Sequence, residues 1–284
     1  MLGIVAEGGA SRTVYSAGVL DVLLENGINA DYYLGVSAGI AFGASYCSKQ
    51  HERNKKLIED FYCTPEYFGK RHLLDPVNRS YYNLDYVFDK VPNELLYFDF
   101  EALRNNPARV LAGVTDLETG EPVYMDLDPD DRKFKILRAS CALPLLFPPI
   151  ELNGRLYVDG GISDSIPFER ALADGCDKLI VIVTRERGYV KENEPTLPLL
   201  LAAYRKYPEF CKILESRAER YNEQCKKLEE LRRAGKVFVF SPKKDKLVSR
   251  TENDKRKLMR LYKHGAKHAE WAMDSLRRYL ESNA

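Results

Sequence analysis

Asp31-Tyr32-Tyr33-Leu34-Gly35-Val36-Ser37-Ala38-Gly39-Ile40-Ala41-Phe42-Gly43-Ala44 decides how the rest of the chain is read. Tyr32 to Val36 is a short apolar run that suits a buried strand, and the small residues from Ala38 onward suit a helix. Between them lies Gly35-Val36-Ser37-Ala38-Gly39, a Gly-x-Ser-x-Gly pattern. Glycines on both sides of a serine permit a tight strand-to-helix turn that lifts the hydroxyl clear of the backbone. The helix that follows directs its free N–H groups, and the positive end of its dipole, toward that oxygen. The pattern alone is common by chance. The strand before it and the helix after it single out Ser37 as a candidate nucleophile, against the alternative of an ordinary glycine-rich βα turn.

A second turn of the same kind opens the chain. Met1 to Ala6 reads as a short buried strand, and Tyr15 to Asn26 has helical spacing with Gly27 as its stop. Between them stands Glu7-Gly8-Gly9-Ala10-Ser11-Arg12-Thr13. A strand, a glycine turn and a helix start together make a nest of backbone N–H groups suited to an anion. Nucleotide phosphate is one such anion, but neither G-x-G-x-x-G nor G-x-x-x-x-G-K-[ST] is present. Consecutive N–H groups of Gly8, Gly9 and Ala10 suit the oxyanion of a tetrahedral intermediate better. A tight turn without chemistry is the plainer alternative.

Further strands and helices alternate along the chain. Ser48 to Phe61 is charged and helical, whereas Tyr62 to Phe100 is crowded with aromatic residues and has no clean period. Those rings could line or cover an acyl-chain pocket, or pack an irregular segment onto the core. Arg109 to Thr115 reads as a strand paired antiparallel with Pro122 to Met125, and Lys133 to Ser140 as a helix. Pro144, Pro148 and Pro149 predict an extended apolar path up to Ile150. Gly154 to Val158 is a strand that ends in Asp159-Gly160-Gly161. An acid at the carboxyl end of a strand is placed like a catalytic residue, although an Asp-Gly turn explains it too. Lys178 to Thr184 is apolar enough for a central strand. Phe210, Ile213, Leu214, Tyr221, Cys225, Leu228 and Leu231 mark one face of a helix. Such a helix can lie on a membrane, but the mixed charges of its polar face favour packing on the core. Val237 to Phe240 is a short strand, Pro242 to Arg250 a basic loop and Thr251 to Leu280 a long helix. This alternation predicts an α/β sandwich with a mainly parallel sheet.

Composition excludes several classes. The chain has 284 residues and a formal net charge of +1, so no general basic bias supports nucleic-acid binding. Six scattered cysteines without a C-x-x-C pair read as reduced thiols of a cytosolic protein. The N-terminal apolar run lacks a basic leader and meets Glu7 at once, which does not describe a signal peptide. No apolar stretch approaches the roughly 18 residues of a membrane span. The expectation is a soluble protein. Among the histidines, His51 lacks the partner of a zinc-protease motif, and His264 and His268 lie one helical turn apart without an acidic or cysteine partner nearby. Neither His72 nor any other stands where an α/β-hydrolase keeps its triad histidine. No metal or cofactor is expected. Ser37 is therefore inert or activated by another group, and Asp159 is the first candidate.

Gly8-Gly9-Ala10-Ser11-Arg12, Gly35-Val36-Ser37-Ala38-Gly39, Ala139-Ser140-Cys141-Ala142-Leu143-Pro144 and Asp159-Gly160-Gly161 follow one another in an order and spacing that resemble the patatin-like phospholipase family, most closely its bacterial branch. The resemblance covers residues 3–172, which it implies are a catalytic domain, with 173–284 packing on the same unit. It implies a three-layer α/β/α sandwich and a serine acyl hydrolase with a Ser–Asp dyad. Ser37 would be the nucleophile and Asp159 its base, with the N–H groups of Gly8, Gly9, Ala10 and Ala38 as the oxyanion hole. Arg12 would hold a substrate phosphate or carboxylate, or else cap local carbonyls. The implied partner is a lipid or acyl ester of the phospholipid or lysophospholipid class, met through transient contact with a membrane surface. Ala10 and Thr13 depart from the family's usual third glycine and x-Arg-Gly, and the added methyl group restricts φ. The rival functions are a lipid-binding module without catalysis and an acyltransferase that uses the same serine. No motif sets the oligomeric state.

Overall fold

Residues 1–74, 80–244 and 248–282 are described by the computed structural model of the protein. Its strands are β1 (Leu2–Ala6), β2 (Tyr32–Val36), β3 (Arg109–Asp116), β4 (Pro122–Asp126), β5 (Ile150–Leu152), β6 (Arg155–Asp159), β7 (Lys178–Ile182) and β8 (Phe238–Phe240). Its helices are α1 (Val14–Glu25), α2 (Ala38–Cys47), α3 (Arg53–Leu57), α4 (Phe100–Arg104), α5 (Lys135–Ser140), α6 (Phe168–Ala173), α7 (Leu197–Ala203), α8 (Pro208–Arg233) and α9 (Lys255–Glu281). All strands join one sheet of order β5-β6-β3-β2-β1-β7-β8, with β4 also paired to β3. From β3 to β8 the neighbours are parallel, and the pairs β3–β4, β3–β6 and β6–β5 at one side are antiparallel.

Alternation along the central strands builds the layers. Ile4, Ala6, Tyr33, Ile180 and Ile182 face a core shared with α1, α2 and α9. Their neighbours Val5, Leu34, Leu111, Leu179 and Val181 face the opposite core, where α6 and α8 supply Phe168, Ala171, Tyr221 and Leu228. The result is a three-layer α/β/α sandwich around a mainly parallel sheet. The stripe on α8 packs inward, with Phe210, Leu214 and Tyr221 buried.

The structure departs from the sequence reading at several boundaries. The segment with three prolines is not extended. It folds into a turn in which the Leu143 carbonyl accepts from Leu146 N and Phe147 N, with Pro144 at the position its ring favours. Asn153 and Gly154 both have positive φ and close a hairpin between β5 and β6, an Asn-Gly signal that the strand reading passed over. Helicity after α2 resumes only at Arg53 and passes into π-helical turns over Ile58–Tyr62. The last helix starts at Lys255, where Asp254 caps it by accepting from Arg256 N and Lys257 N, and α5 starts at Lys135. Residues 75–79 of the aromatic-rich segment and 245–247 of the basic loop lie outside the described residues.

Helix α9 crosses α1 at backbone contact. A Cβ on Gly18 would stand 2.1 Å from the Tyr262 carbonyl oxygen, and one on Gly265 would stand 2.0 Å from that of Tyr15. Tyr262 OH donates to buried Asp21 at 2.6 Å, and Tyr15 OH lies 2.6 Å from His268 Nδ1. Only glycine allows this approach, so Gly265→Ala should push the helices apart and destabilise the protein by about 1–3 kcal/mol in urea unfolding. Unchanged stability would mean that α9 shifts freely on α1.

Candidate active site

The strand order creates a crevice. From β1 the chain moves through β2 to β3 on one side, then returns to β7 on the other side of β1. Loops leaving the carboxyl ends of such strands diverge and leave room between them. Glu7 to Ala10 follow β1, Ser37 follows β2 and Thr184 follows β7.

Ser37 sits at the N-cap of α2 with φ 54° and ψ −130°, a conformation that costs an L-residue about 1–3 kcal/mol. Two hydrogen bonds of its own hold it, one of them anchored through Ser140. Its N–H donates to Ser140 Oγ at 2.8 Å, and Ser140 Oγ donates to the Gly113 carbonyl at 2.7 Å. Its own Oγ donates to Asp159 Oδ2 at 2.7 Å. Asp159 is placed by β6, which pairs with β3 at Val114, and by Thr115 Oγ1, which donates to the Asp159 carbonyl at 2.9 Å. Its other carboxylate oxygen accepts from Gly161 N at 2.8 Å. Burial pushes the Asp159 carboxyl above its ordinary range, against the Ser37 hydroxyl, the Gly161 N–H and the charges of Arg217 and Arg250. Cys141 lies in the same wall, its thiol kept neutral by burial and by the charge of Asp159.

The glycine turn faces Ser37 from β1. A Cβ on Gly8 would lie 2.7 Å from Ser37 Cβ and 2.8 Å from the Val36 carbonyl oxygen, so only glycine passes here. Ala10 takes φ 50°, so the turn keeps a left-handed step without the glycine the family usually has there. Among the described residues, nothing accepts from the N–H groups of Gly8, Gly9, Ala10 or Ala38. Gly8, Gly9, Ala10, Ala38, Ser37 and Asp159 all line one cavity of about 170 Å³. Glu7 also reaches it but is engaged elsewhere, accepting from Thr184 N at 2.6 Å and from Tyr221 OH at 2.9 Å. Arg12 lines the cavity while 8% exposed, and its guanidinium donates to no described residue. Carbonyl capping, one of its two sequence-based roles, is therefore not realised.

Most of the cavity wall is apolar. The aromatic-rich segment supplies Tyr62, Tyr67, Tyr82, Phe88 and Phe98, and the same rings belong to the main core cluster. Lining and packing are thus one arrangement. None of the histidines lines the cavity. Arg185, Lys191, Arg217 and Arg250 do, and the sequence reading missed all of them. Arg217 carried a usable signal: it follows Leu214 by three residues and precedes Tyr221 by four, which puts a charge on the buried stripe of α8.

The model of the patatin-like phospholipase family matches residues 4–172, more than half of the chain. The chain belongs to the patatin-like phospholipase family. A domain of unknown function (DUF6363) matches residues 207–281. Among curated relatives, the uncharacterized protein YjjU of Escherichia coli K12 is 28% identical over 64% of this chain and 52% of its own length. The lysophospholipase NTE1 of Candida albicans is 26% identical over 68% of this chain and 14% of its own. The chain thus spans about half of the first relative and a small part of the second. VipD from Legionella pneumophila superimposes with a TM-score of 0.56 over 96% of this chain and 66% of its own, at 14% identity, a likeness of fold.

In this patatin-like site the strain at Ser37 is separable from its hydroxyl. Ser37→Ala and Ser37→Gly both remove the oxygen, but only glycine relieves the positive φ. The glycine variant should be the more stable of the two by about 1 kcal/mol in denaturant unfolding. Equal stabilities would show that the turn carries no strain.

Proposed function

We propose that the protein is a serine acyl hydrolase that cleaves carboxylic esters of lipids, of the phospholipid or lysophospholipid class, through a Ser37–Asp159 dyad and an acyl-enzyme. The observation that carries this reading is the 2.7 Å hydrogen bond from Ser37 Oγ to Asp159 Oδ2, set in an apolar cavity beside unspent backbone N–H groups. Family membership and a relative named lysophospholipase support the lipid class.

Ser37 Oγ attacks the ester carbonyl while Asp159 takes its proton. The oxyanion is received by N–H groups of Gly8, Gly9, Ala10 and Ala38, fixed in place before the reaction. Asp159 passes the proton to the departing alcohol. It then takes a proton from water, whose oxygen attacks the acyl-enzyme, and the collapse returns that proton to Ser37. A carboxylate of ordinary pKa about 3.9 is a weak base, and the burial that raises Asp159 strengthens it. In this reading the reaction runs in the cytoplasm, at transient contact with a membrane surface. The cysteines are unpaired thiols, which suits that compartment. A lipid-binding module would have no use for a strained serine aligned on a buried carboxylate.

Ser37→Ala should lose about 10³-fold or more in turnover of a short-chain ester and all labelling by a fluorophosphonate. Turnover near that of the wild type would remove the nucleophile.

Asp159→Asn should lose nearly as much, and the double variant little more, because residues that act as one unit fail together. Its stability should move the other way. A carboxyl whose pKa is raised on folding favours the folded state below the unfolded pKa and loses that contribution as pH rises through the folded value. At neutral pH the asparagine variant should therefore melt at or above the wild-type temperature. The kcat/KM of the wild type should fall on acidification at a pH above the usual carboxylate range. A stable Asp159→Asn protein with a tenth of the activity would sink the dyad.

A further inference from the structure

The polar end of the cavity is built mainly by residues beyond those the family model matches. Arg12 comes from the glycine turn, whereas Arg185, Lys191, Arg217 and Arg250 all follow β7. Their charges are incompletely answered. Arg217 Nη1 and Arg250 Nη2 share a single oxygen, Glu194 Oε1, at 3.3 and 2.9 Å. Arg185 lies 4.2 Å from the centre of the Tyr189 ring and donates to its hydroxyl, and Lys191 Nζ lies 5.1 Å from the centre of the Tyr221 ring. Among the described residues, neither has a carboxylate within ion-pair distance. Arg12 is buried, and among the described residues its Nε has no hydrogen-bond partner. The acids at hand are Glu7, Glu194 and Asp159, so five cations face three carboxylates.

This repulsion is imposed by the fold. Lys191 is fixed through its backbone, with Lys191 N donating to Asn222 Oδ1 at 2.7 Å and Asn222 Nδ2 donating back to its carbonyl at 3.0 Å. Burial, with Arg217 and Arg250 nearby, pushes the Lys191 ammonium down to about 8. Burial with Arg185 and Arg250 likewise pushes the Arg12 guanidinium down to about 10. Cations held together on a partly buried wall call for an anion. The sixth cation on the wall, Arg53, is already engaged with the carbonyls of Leu96 and Tyr97 and with Ser45 Oγ.

Ser37 belongs to both parts of the cavity. Through Asp159 it senses the charges of Arg217 and Arg250, and its own helix carries Ala41 and Phe42 into the apolar wall. We infer that Arg12, Arg185, Lys191, Arg217 and Arg250 form a subsite for the phosphate-bearing headgroup of the acyl lipid whose ester Ser37 attacks, with the chain lying among the aromatic rings. A phosphate monoester carries nearly two negative charges at neutral pH, which matches the excess of five cations over three carboxylates. This inference rests on the hydrolase reading, since it names that enzyme's substrate class.

The test uses three monoacyl lipids with the same short chain, bearing a glycerol, a phosphocholine or a phosphate monoester headgroup, each below its micelle concentration. The wild type should favour the phosphate monoester over the neutral glycerol ester in kcat/KM by about 10-fold or more. Lys191→Met should cut that ratio by about 10-fold, Lys191→Glu by about 100-fold, and Lys191→Arg should keep it. Melting curves confirm that each variant is folded, and Arg185→Met gives an independent loss where one is not. Equal wild-type rates on all three lipids, or a preference that survives Lys191→Glu and Arg185→Met, would overturn the subsite. Inorganic phosphate separates the two sources of the anion. Competition against the phosphate lipid supports a headgroup site, whereas inhibition of neutral-ester hydrolysis without any lipid preference would make the cluster a free-anion site and overturn the inference. Binding of the same lipids to Ser37→Ala keeps the two readings apart. A tighter Kd for the phosphate lipid that weakens in Ser37→Ala/Lys191→Glu supports the subsite even if no ester is cleaved.

Discussion

Ser37 holds a backbone conformation that an L-residue resists, and much of the molecule is arranged to keep it there. With φ at 54° the serine has left the line of β2 before α2 begins. A turn this abrupt survives only if its surroundings over-determine it. Ser140 does so by bridging Ser37 N and the Gly113 carbonyl, which ties the turn to β3 and α5 together. Asp159 does so from β6, the first antiparallel neighbour of β3. Gly8 does so from β1, because any larger residue would collide with Ser37 Cβ and the Val36 carbonyl. The parallel core and the antiparallel hairpin thus meet at one side chain.

What was legible in the sequence follows from this. Strand-to-helix turns write themselves locally, as Gly-x-Ser-x-Gly and Gly8-Gly9-Ala10, and apolar runs declare central strands wherever both faces are covered. The sheet and its layers could therefore be read directly, and Asp159 could be read as an acid at a strand end. The β5 strand was not legible as apolar alternation, because its three residues are half-exposed or exposed, and its real signal was the Asn153-Gly154 turn. The prolines after Leu143 misled because proline suits a turn as well as it suits an extended path.

The cationic end of the cavity was illegible for a different reason. Arg185, Lys191, Arg217 and Arg250 come from a strand end, a loop, a long helix and the approach to α9, and they meet only after folding. A net charge of +1 averages such a cluster away. Of the four, Arg217 alone broke a local pattern, by standing on the buried stripe of α8. Arg12 could be noticed beside the glycine turn, but that its buried Nε finds no partner among the described residues is a fact of packing.

Burial and the cationic cluster act on Asp159 in opposite directions. Burial raises its affinity for a proton, while Arg217 and Arg250 lower it, and the first effect is the larger. In the free protein the cations therefore make the carboxylate a weaker base than its burial alone would. They also spare it the full cost of ionisation in a dry site. An anion seated among Arg12, Lys191 and Arg250 would answer part of that positive field and leave burial less opposed. The carboxylate would then bind the serine proton more strongly when a phosphate-bearing ester occupies the cavity than when it is empty. On the proposed reading, the cations that would select the substrate and the carboxylate that would activate the serine are coupled by charge, without any movement of the fold.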